Sequence, residues 1–263
     1  MQDTQSSTNI HPSNFSSLKI AGFGACMITG YPHEGGGLFE VACTSVEKSL
    51  SRSVEWKLFG FGGFPAPRAE KYFKSRVSTF NPNYVVIQFG STDATRPIRA
   101  RHRSSTAPIP SERPPVRPPT AFTIARWHIQ SLVGFLWKTD PVTSLASYVT
   151  AIEHMVNESI LAGITPVVLS PFIFGSRHSL KNAADYTKAL HDLTLRHRII
   201  FIDCIQQLSK HSKSKILLKD GVHLSRLGHH LIGEAIGQAI VADIGSLNRL
   251  AEIPETKSVC ARA

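Results

Sequence analysis

The sequence predicts one three-layer α/β domain, with helices on both faces of a parallel sheet of about five strands. Short apolar runs rich in β-branched or aromatic residues recur along the chain, and the first three end in glycine. Stretches with helical spacing of apolar residues separate these runs. Such an alternation is typical of a parallel sheet, in which helices connect successive strands. With 263 residues, 42% of them hydrophobic, the chain can bury a core of this size.

The predicted strands are the apolar runs themselves. Glycine after a short buried run indicates a turn, so the first three strands are expected to end in tight turns. The five runs are LKIAGFG at 18–24, VEWKLFGFGG at 54–63, YVVIQFG at 84–90, TPVVLSPF at 165–172 and RIIFID at 198–203.

Helices are predicted in the three intervals that follow the second, third and fourth strands, and after the last strand. The final helix carries a continuous apolar stripe, which indicates packing against a sheet. The domain is predicted to span 18–245, with a flexible N-terminal tail at 1–17 and a C-terminal tail at 246–263. The predicted helices are 69–80, 145–163, 182–197 and 227–244.

A long interruption, residues 94–140, separates the third strand from the next helix. Its part up to residue 126 holds seven arginines against one glutamate, and so carries +6 of the formal net charge of +10. Frequent prolines make regular structure improbable there. Two interpretations stay open: a mobile insertion, or a lid or docking arm for an anionic substrate, acidic glycan or membrane surface. Residues 121–138 predict a helix with an apolar face.

Several classes of protein are excluded by what the sequence lacks. No run approaches the roughly 20 apolar residues of a membrane-spanning helix. The N-terminus has neither a basic start nor an apolar run, so no secretory signal is predicted and we expect a cytoplasmic location. Neither a dinucleotide fingerprint nor a phosphate-binding loop is complete. The cysteines lack the spacing of zinc sites and are interpreted as free thiols: Cys26, Cys43, Cys204 and Cys260.

Reactive side chains follow the predicted strand ends, where ligands collect in sheets of this kind. Three blocks mark these places: GAC at 24–26, GFGG at 60–63 and GSTD at 90–93. A fourth block, DGVHL at 220–224, lies near the C-terminus. In this order the blocks resemble those of the SGNH family of GDSL-type hydrolases. The resemblance covers about 18–244, leaves the interruption outside, and is strongest in its last block.

The resemblance implies a flavodoxin-like α/β/α fold and hydrolysis of ester bonds. Carried over residue by residue, it makes Cys26 the nucleophile, His223 the general base and Asp220 the carboxylate that orients the imidazole. The oxyanion donors would be the backbone N–H groups of Cys26 and Gly63 and the side chain of Thr92. The resemblance implies no metal and no organic cofactor.

Two residues depart from the family pattern. Cys26 stands where the family has serine, and Thr92 stands where it has the oxyanion asparagine. We expect Cys26 to begin a helix directly after the first strand, where the helix dipole would lower the pKa of the thiol. The threonine hydroxyl is a shorter donor than an amide. We therefore expect a slowed hydrolase, or one re-tuned for thioesters or acyl transfer.

Plainer interpretations stay open for the single residues. Taken alone, Cys26 is a buried small hydrophobe. Asp93 is either a carboxylate that caps its own loop or a support for the oxyanion turn. We expect His229 and His230 to be solvated helix residues rather than metal ligands, since no ligand spacing accompanies them.

The expected partner is a small-molecule or glycan ester, and the excess of basic residues favours an anionic one. A second hypothesis keeps the fold and abandons the reaction: a catalytically degenerate protein that binds an acylated glycan or a partner protein. Nucleic-acid binding is the least favoured, because the arginine-rich segment lacks the interleaved aromatic residues that stack on bases. The sequence leaves the oligomeric state open.

Overall fold

The computed structural model describes residues 17–95 apart from 34, residues 140–172, residues 177–251, and a few positions between 120 and 129. Within these ranges, five strands form one parallel sheet in the order β2-β1-β3-β4-β5. The predicted parallel α/β fold is confirmed. The strands are β1 at Leu18–Gly24, β2 at Val54–Gly60, β3 at Tyr84–Gln88, β4 at Thr165–Leu169 and β5 at Ile200–Ile202.

Helices cover both faces of the sheet, as the fully buried strands require. The two long helices α1 and α7 pack against each other on one face. The helices are α1 at Leu38–Leu50, α2 at Ala66–Glu70, α3 at Leu145–Leu161, α4 at Arg177–His197, α5 at Cys204–Leu208, α6 at Lys213–Ile216 and α7 at Arg226–Ala251.

Each face of the sheet has its own hydrophobic core. One core lies under α2, α3 and α4, and is built around Phe23, Tyr148 and Leu190. The other lies under α1 and α7 and includes Phe39 and Ile236. Because successive residues of a strand point to opposite faces, both sides of β1 and β3 are apolar, and this explains their near-continuous apolar runs.

The carboxyl ends of β1, β2 and β3 lie level with one another. Gly24 is opposite both Gly60 and Gln88 in the sheet. The lack of a side chain at Gly24 is required, because a Cβ atom there would lie 2.4 Å from the carbonyl oxygen of Gln88. Strand order reverses at β1, so the turns that leave this edge flank the place where such sheets bind ligands.

Helix boundaries differ from the predicted ones where proline and packing intervene. The predicted helix 69–80 is instead α2, which begins at Ala66 with Pro67 in its first turn, followed by a π-helical segment at Lys74–Ser78. Proline fits a first helical turn because the N–H that it lacks has no partner there. The last helix continues past 246 to Ala251. Most of 94–140, with nearly all of the predicted helix 121–138, lies outside the described residues.

Among the described helices, none is both long and apolar enough to cross a membrane.

Candidate active site

A buried carboxylate–imidazole pair stands at the end of the loop that precedes α7. The Nδ1 atom of His223 lies 2.8 Å from Oδ2 of Asp220, and both side chains are almost entirely buried. Asp220 uses its other oxygen to accept the backbone N–H groups of Val222 and His223, each at 2.9 Å. Because Asp220 and His223 are only three residues apart, one carboxylate can orient the ring and also hold the backbone of residues 222 and 223.

The same loop is fixed to its surroundings by backbone hydrogen bonds. The N–H of Leu218 donates to the carbonyl of His223 at 2.8 Å. Ser225 follows and accepts the N–H of Gly228 on its hydroxyl, which caps the start of α7. The imidazole is therefore held between a short antiparallel bridge, Leu217 to Leu224, and the first turn of a long helix.

Asp220 is held in its ionised form. Burial raises its pKa, but the hydrogen bonds from the Val222 N–H, the His223 ring and the His223 N–H outweigh burial and lower the pKa below its ordinary value. A carboxylate that stays charged can hold His223 with Nδ1 protonated, which leaves Nε2 as the basic nitrogen. The tautomer is assigned from this hydrogen bond.

Cys26 lies in a chain of turns, and the prediction that it begins a helix is wrong. Residues 25–32 are turns and bends, and α1 starts only at Leu38. The carbonyl of Cys26 accepts the hydroxyl of Thr29 at 2.7 Å and the N–H of Tyr31 at 3.3 Å. Glycine-rich sequence after Gly30 delays the helix, since glycine in a helix interior is destabilising.

The thiol of Cys26 is harder to ionise than a free thiol. Burial raises its pKa to about 11, and the negative charge of Asp220 also raises it, although the N–H groups of Cys26 and Met27 act in the opposite direction. The expected lowering by a helix dipole is therefore wrong. Cys26 is partly buried and packs against the core under α1 and α7, so the interpretation as a small hydrophobe stays open beside that as a nucleophile.

Tyr31 connects the Cys26 turn to the imidazole. Its N–H bonds to the Cys26 carbonyl, and its ring lies edge-on to His223 with 4.8 Å between the ring centres. Burial raises the pKa of Tyr31, and the charges of Cys26 and Asp220 raise it further. The structure thus brings Cys26, Asp220 and His223 to the same end of the sheet, around one aromatic side chain.

Two of the three predicted oxyanion positions, Gly63 and Thr92, lie on neighbouring turns. Gly63 is exposed and has a φ of +73°, a conformation that favours glycine. Thr92 is half-buried in the turn after β3, and its carbonyl accepts the Thr95 hydroxyl at 2.7 Å. Both turns leave the sheet at the edge where β1 ends, as the sequence predicts for the glycine blocks.

Asp93 joins these two turns. Its carboxylate accepts the N–H of Ala66 at 2.9 Å and the N–H of Gly90 at 3.1 Å, and also a hydrogen bond from the Thr143 side chain. Burial raises the pKa of Asp93 to about 6, although these hydrogen bonds act against the rise. Both interpretations of Asp93 therefore hold: it caps its own loop, and it supports the turns that carry Gly63 and Thr92.

Two histidines near the Cys26 turn have environments that the sequence did not indicate. His229 is fully buried, so its prediction as a solvated helix residue is wrong, whereas His230 is exposed as predicted. His33 places its Nε2 atom 3.2 Å from the carbonyl oxygen of Leu224. No group of three potential metal ligands occurs among the described residues.

The comparison with known sequences agrees with this arrangement. The profile of the GDSL-like lipase/acylhydrolase family matches residues 22–231, which include the Cys26 turn, the glycine turns and the His223 loop. The chain belongs to this family. No curated protein matches it at significant similarity.

Solved GDSL-type structures share the fold. A lipase/acylhydrolase from Enterococcus faecalis superposes with a TM-score of 0.60 at 18% identity, over 88% of this chain and 96% of that one. An acetylxylan esterase from Geobacillus stearothermophilus gives 0.59 at 16% identity, over 87% and 94%. The psychrotrophic esterase EstA from Pseudoalteromonas gives 0.56 at 10% identity, over 89% and 100%.

Sequence reasoning missed Tyr31, His33 and His229 as neighbours of the GDSL-type site. A signal was present in the segment 30–33, where an aromatic residue, a proline and a histidine follow the glycine that ends the Cys26 turn. Polar and aromatic residues directly after a strand-end turn commonly face a ligand site. His229 gave no such signal, because its neighbours in sequence indicate only a helix, on which a histidine is expected to be solvated.

Proposed function

We propose that this family member cleaves carboxylic esters or thioesters, or transfers their acyl groups, through an acyl-enzyme on Cys26. The observation that carries the proposal is the buried pair of Asp220 and His223, with 2.8 Å between Oδ2 and Nδ1. The pair is a prepared general base at the edge of the sheet where Cys26 lies. Lipases and acylhydrolases give the family its name, and a small-molecule or glycan ester is the proposed substrate.

In the first step, the thiol loses its proton at the same time as its sulfur bonds to the substrate. Because the pKa of Cys26 is raised to about 11, the sulfur carries its proton at neutral pH. His223 Nε2 removes that proton while Sγ bonds to the carbonyl carbon, and Asp220 stabilises the resulting imidazolium. This order resembles a serine hydrolase more than an enzyme with a preformed thiolate–imidazolium pair.

The oxyanion formed on the carbonyl oxygen needs donors. We assign the backbone N–H groups of Cys26 and Gly63 and the hydroxyl of Thr92 to this role. When the intermediate collapses, the bond to the alcohol or thiol breaks and the leaving group takes the proton from His223. Water then attacks the carbonyl carbon of the thioester with His223 as base, the bond from carbon to sulfur breaks as His223 returns a proton to Sγ, and the acid product leaves.

The second candidate is a catalytically degenerate protein that binds an acylated glycan or a protein partner. The protonated thiol of Cys26 and the threonine at position 92 are the observations that favour it. Contact with an anionic substrate through residues 94–140 and a cytoplasmic location remain predictions of the sequence.

Hydrolysis of a short-chain aryl ester and of a short-chain thioester decides between the candidates. We expect Cys26→Ala and His223→Ala to lose about 1000-fold or more in kcat relative to the unsubstituted protein. Cys26→Ser, which keeps a nucleophile of similar size, is expected to retain ester cleavage. Equal background rates from all four proteins would overturn the catalytic proposal and favour the binding protein.

A further inference from the structure

His229 is a fully buried imidazole that takes no part in the proposed triad. It lies in the first turns of α7 and has no solvent exposure. Burial lowers its pKa to about 3, with smaller contributions from His33 and His223, so the ring is neutral at physiological pH. Burial of a polar side chain destabilises the fold unless the side chain is hydrogen-bonded. The residues around His229 belong to the Cys26 turn and to α1.

The two ring nitrogens of His229 face different parts of the chain. Nδ1 accepts the backbone N–H of Leu38, the first residue of α1, at 3.3 Å. The proton is therefore on Nε2, which lies near the backbone carbonyl of Tyr31 but makes no hydrogen bond to any described residue. One side chain of α7 thus contacts the segment 31–38 at its beginning and at its end.

His33 extends this contact to the loop of the proposed base. Its ring lies edge-on to His229, with ring centres 5.7 Å apart, and its Nε2 lies 3.2 Å from the carbonyl oxygen of Leu224. Leu224 directly follows His223. A continuous set of contacts therefore runs from the imidazole loop through His33 to His229, and from there to the segment that leaves Cys26.

We propose that His229 is a positioning residue that docks the segment 27–37 onto the loop 220–225 and thereby sets the approach of the Cys26 sulfur to the His223 imidazole. The effect on catalysis rests on the proposed function, whereas the docking of the two segments does not. The thiol and the base lie on separate segments, 197 positions apart by their residue numbers, so a noncovalent contact has to fix their distance. An error of about 1 Å in such a geometry costs on the order of 100-fold in rate.

Two substitutions separate the role of the nitrogens from simple filling of space. His229→Asn keeps an acceptor near the position of Nδ1, whereas His229→Leu fills the site without one. Ile236→Ala is the matched control, since Ile236 is equally buried on the same helix and packs in the core instead of the loops. We expect His229→Leu to lower kcat for the aryl ester about 10- to 100-fold with KM nearly unchanged, and His229→Asn to recover part of the loss.

A second measurement keeps the test independent of activity. Amide hydrogen exchange should become faster in residues 27–37 and 220–225 of His229→Leu, and not in those segments of Ile236→Ala. Should the unsubstituted protein cleave no ester, this exchange pattern still tests the docking, and only the catalytic consequence is lost with the proposed function. Unchanged exchange in both segments, or a fall in kcat that Ile236→Ala reproduces, would overturn the inference.

Discussion

The loop 220–225 and the turn 24–33 lie at the same end of the sheet but are held by different kinds of contact. In the loop, Asp220 bonds to the ring and to the N–H of His223, three residues away. In the turn, local bonds to the Cys26 carbonyl fix the backbone, while the contacts of Tyr31 and His33 reach His223 and Leu224 in the loop. The pair in the loop is thus held mainly by local contacts, whereas the turn takes its shape partly from distant residues.

This difference has a chemical consequence. The contacts of the loop lower the pKa of Asp220, whereas burial raises that of the Cys26 thiol. In the proposed mechanism the carboxylate of Asp220 is therefore charged before the reaction begins, whereas the thiol of Cys26 requires the base to remove its proton. A substitution in the loop should accordingly cost more than one in the turns that receive the oxyanion.

The largest effect is expected from Asp220→Asn. An amide cannot stabilise the imidazolium and favours the wrong tautomer of His223, so kcat should fall about 1000- to 10,000-fold while KM changes little. Steady-state hydrolysis of a short-chain aryl ester measures the loss. Asp203→Asn is the control, because Asp203 is a carboxylate that only caps α5. A loss of less than about tenfold in Asp220→Asn would show that the pair does not drive the reaction.

The second-largest effect is expected in the rate at which the Cys26 thiol is alkylated. With its pKa raised to about 11 from an ordinary value of 9.0, folded Cys26 should be alkylated by iodoacetamide about 100-fold more slowly at pH 7 than the same cysteine in the urea-unfolded chain. Its rate should rise about tenfold per pH unit between 7 and 10. Mass spectrometry of the peptide that contains Cys26 follows the reaction separately from the other cysteines.

Rapid labelling near neutral pH would contradict this picture. It would indicate a thiolate paired with the His223 imidazolium, as a helix at Cys26 would have favoured. His223→Ala serves as the reference, since removal of the ring would slow labelling only if such a pair exists.

The sequence predicted the fold because its signals are local. Apolar runs such as 84–90 indicate buried strands, and the glycine that ends each of the first three runs indicates the turn that leaves the sheet. The pair of Asp220 and His223 could be predicted as well, because both residues lie in one short block that resembles the last block of the family. The environment of Cys26 was not, because the chain after Gly24 was predicted to form a helix immediately and instead makes turns up to Leu38.

His229 illustrates the limit most clearly. Its neighbours in sequence are those of an ordinary amphipathic helix, yet its partners are Leu38, which lies 191 positions earlier, and His33. Long-range contacts of this kind depend on how α7 crosses α1. Neither periodicity nor a motif contains that information.

The smallest effect is expected at position 92. Thr92 carries a hydroxyl on the turn after β3, and Asp93 holds that turn in place through the N–H of Gly90. Thr92→Asn supplies a longer donor, so kcat for the aryl ester should rise about tenfold with KM nearly unchanged. Thr92→Val keeps the shape and removes the hydroxyl, and should lower kcat by a similar factor. Equal kcat in the valine variant and the unsubstituted protein would mean that Thr92 donates nothing to the oxyanion and that the backbone N–H groups act alone.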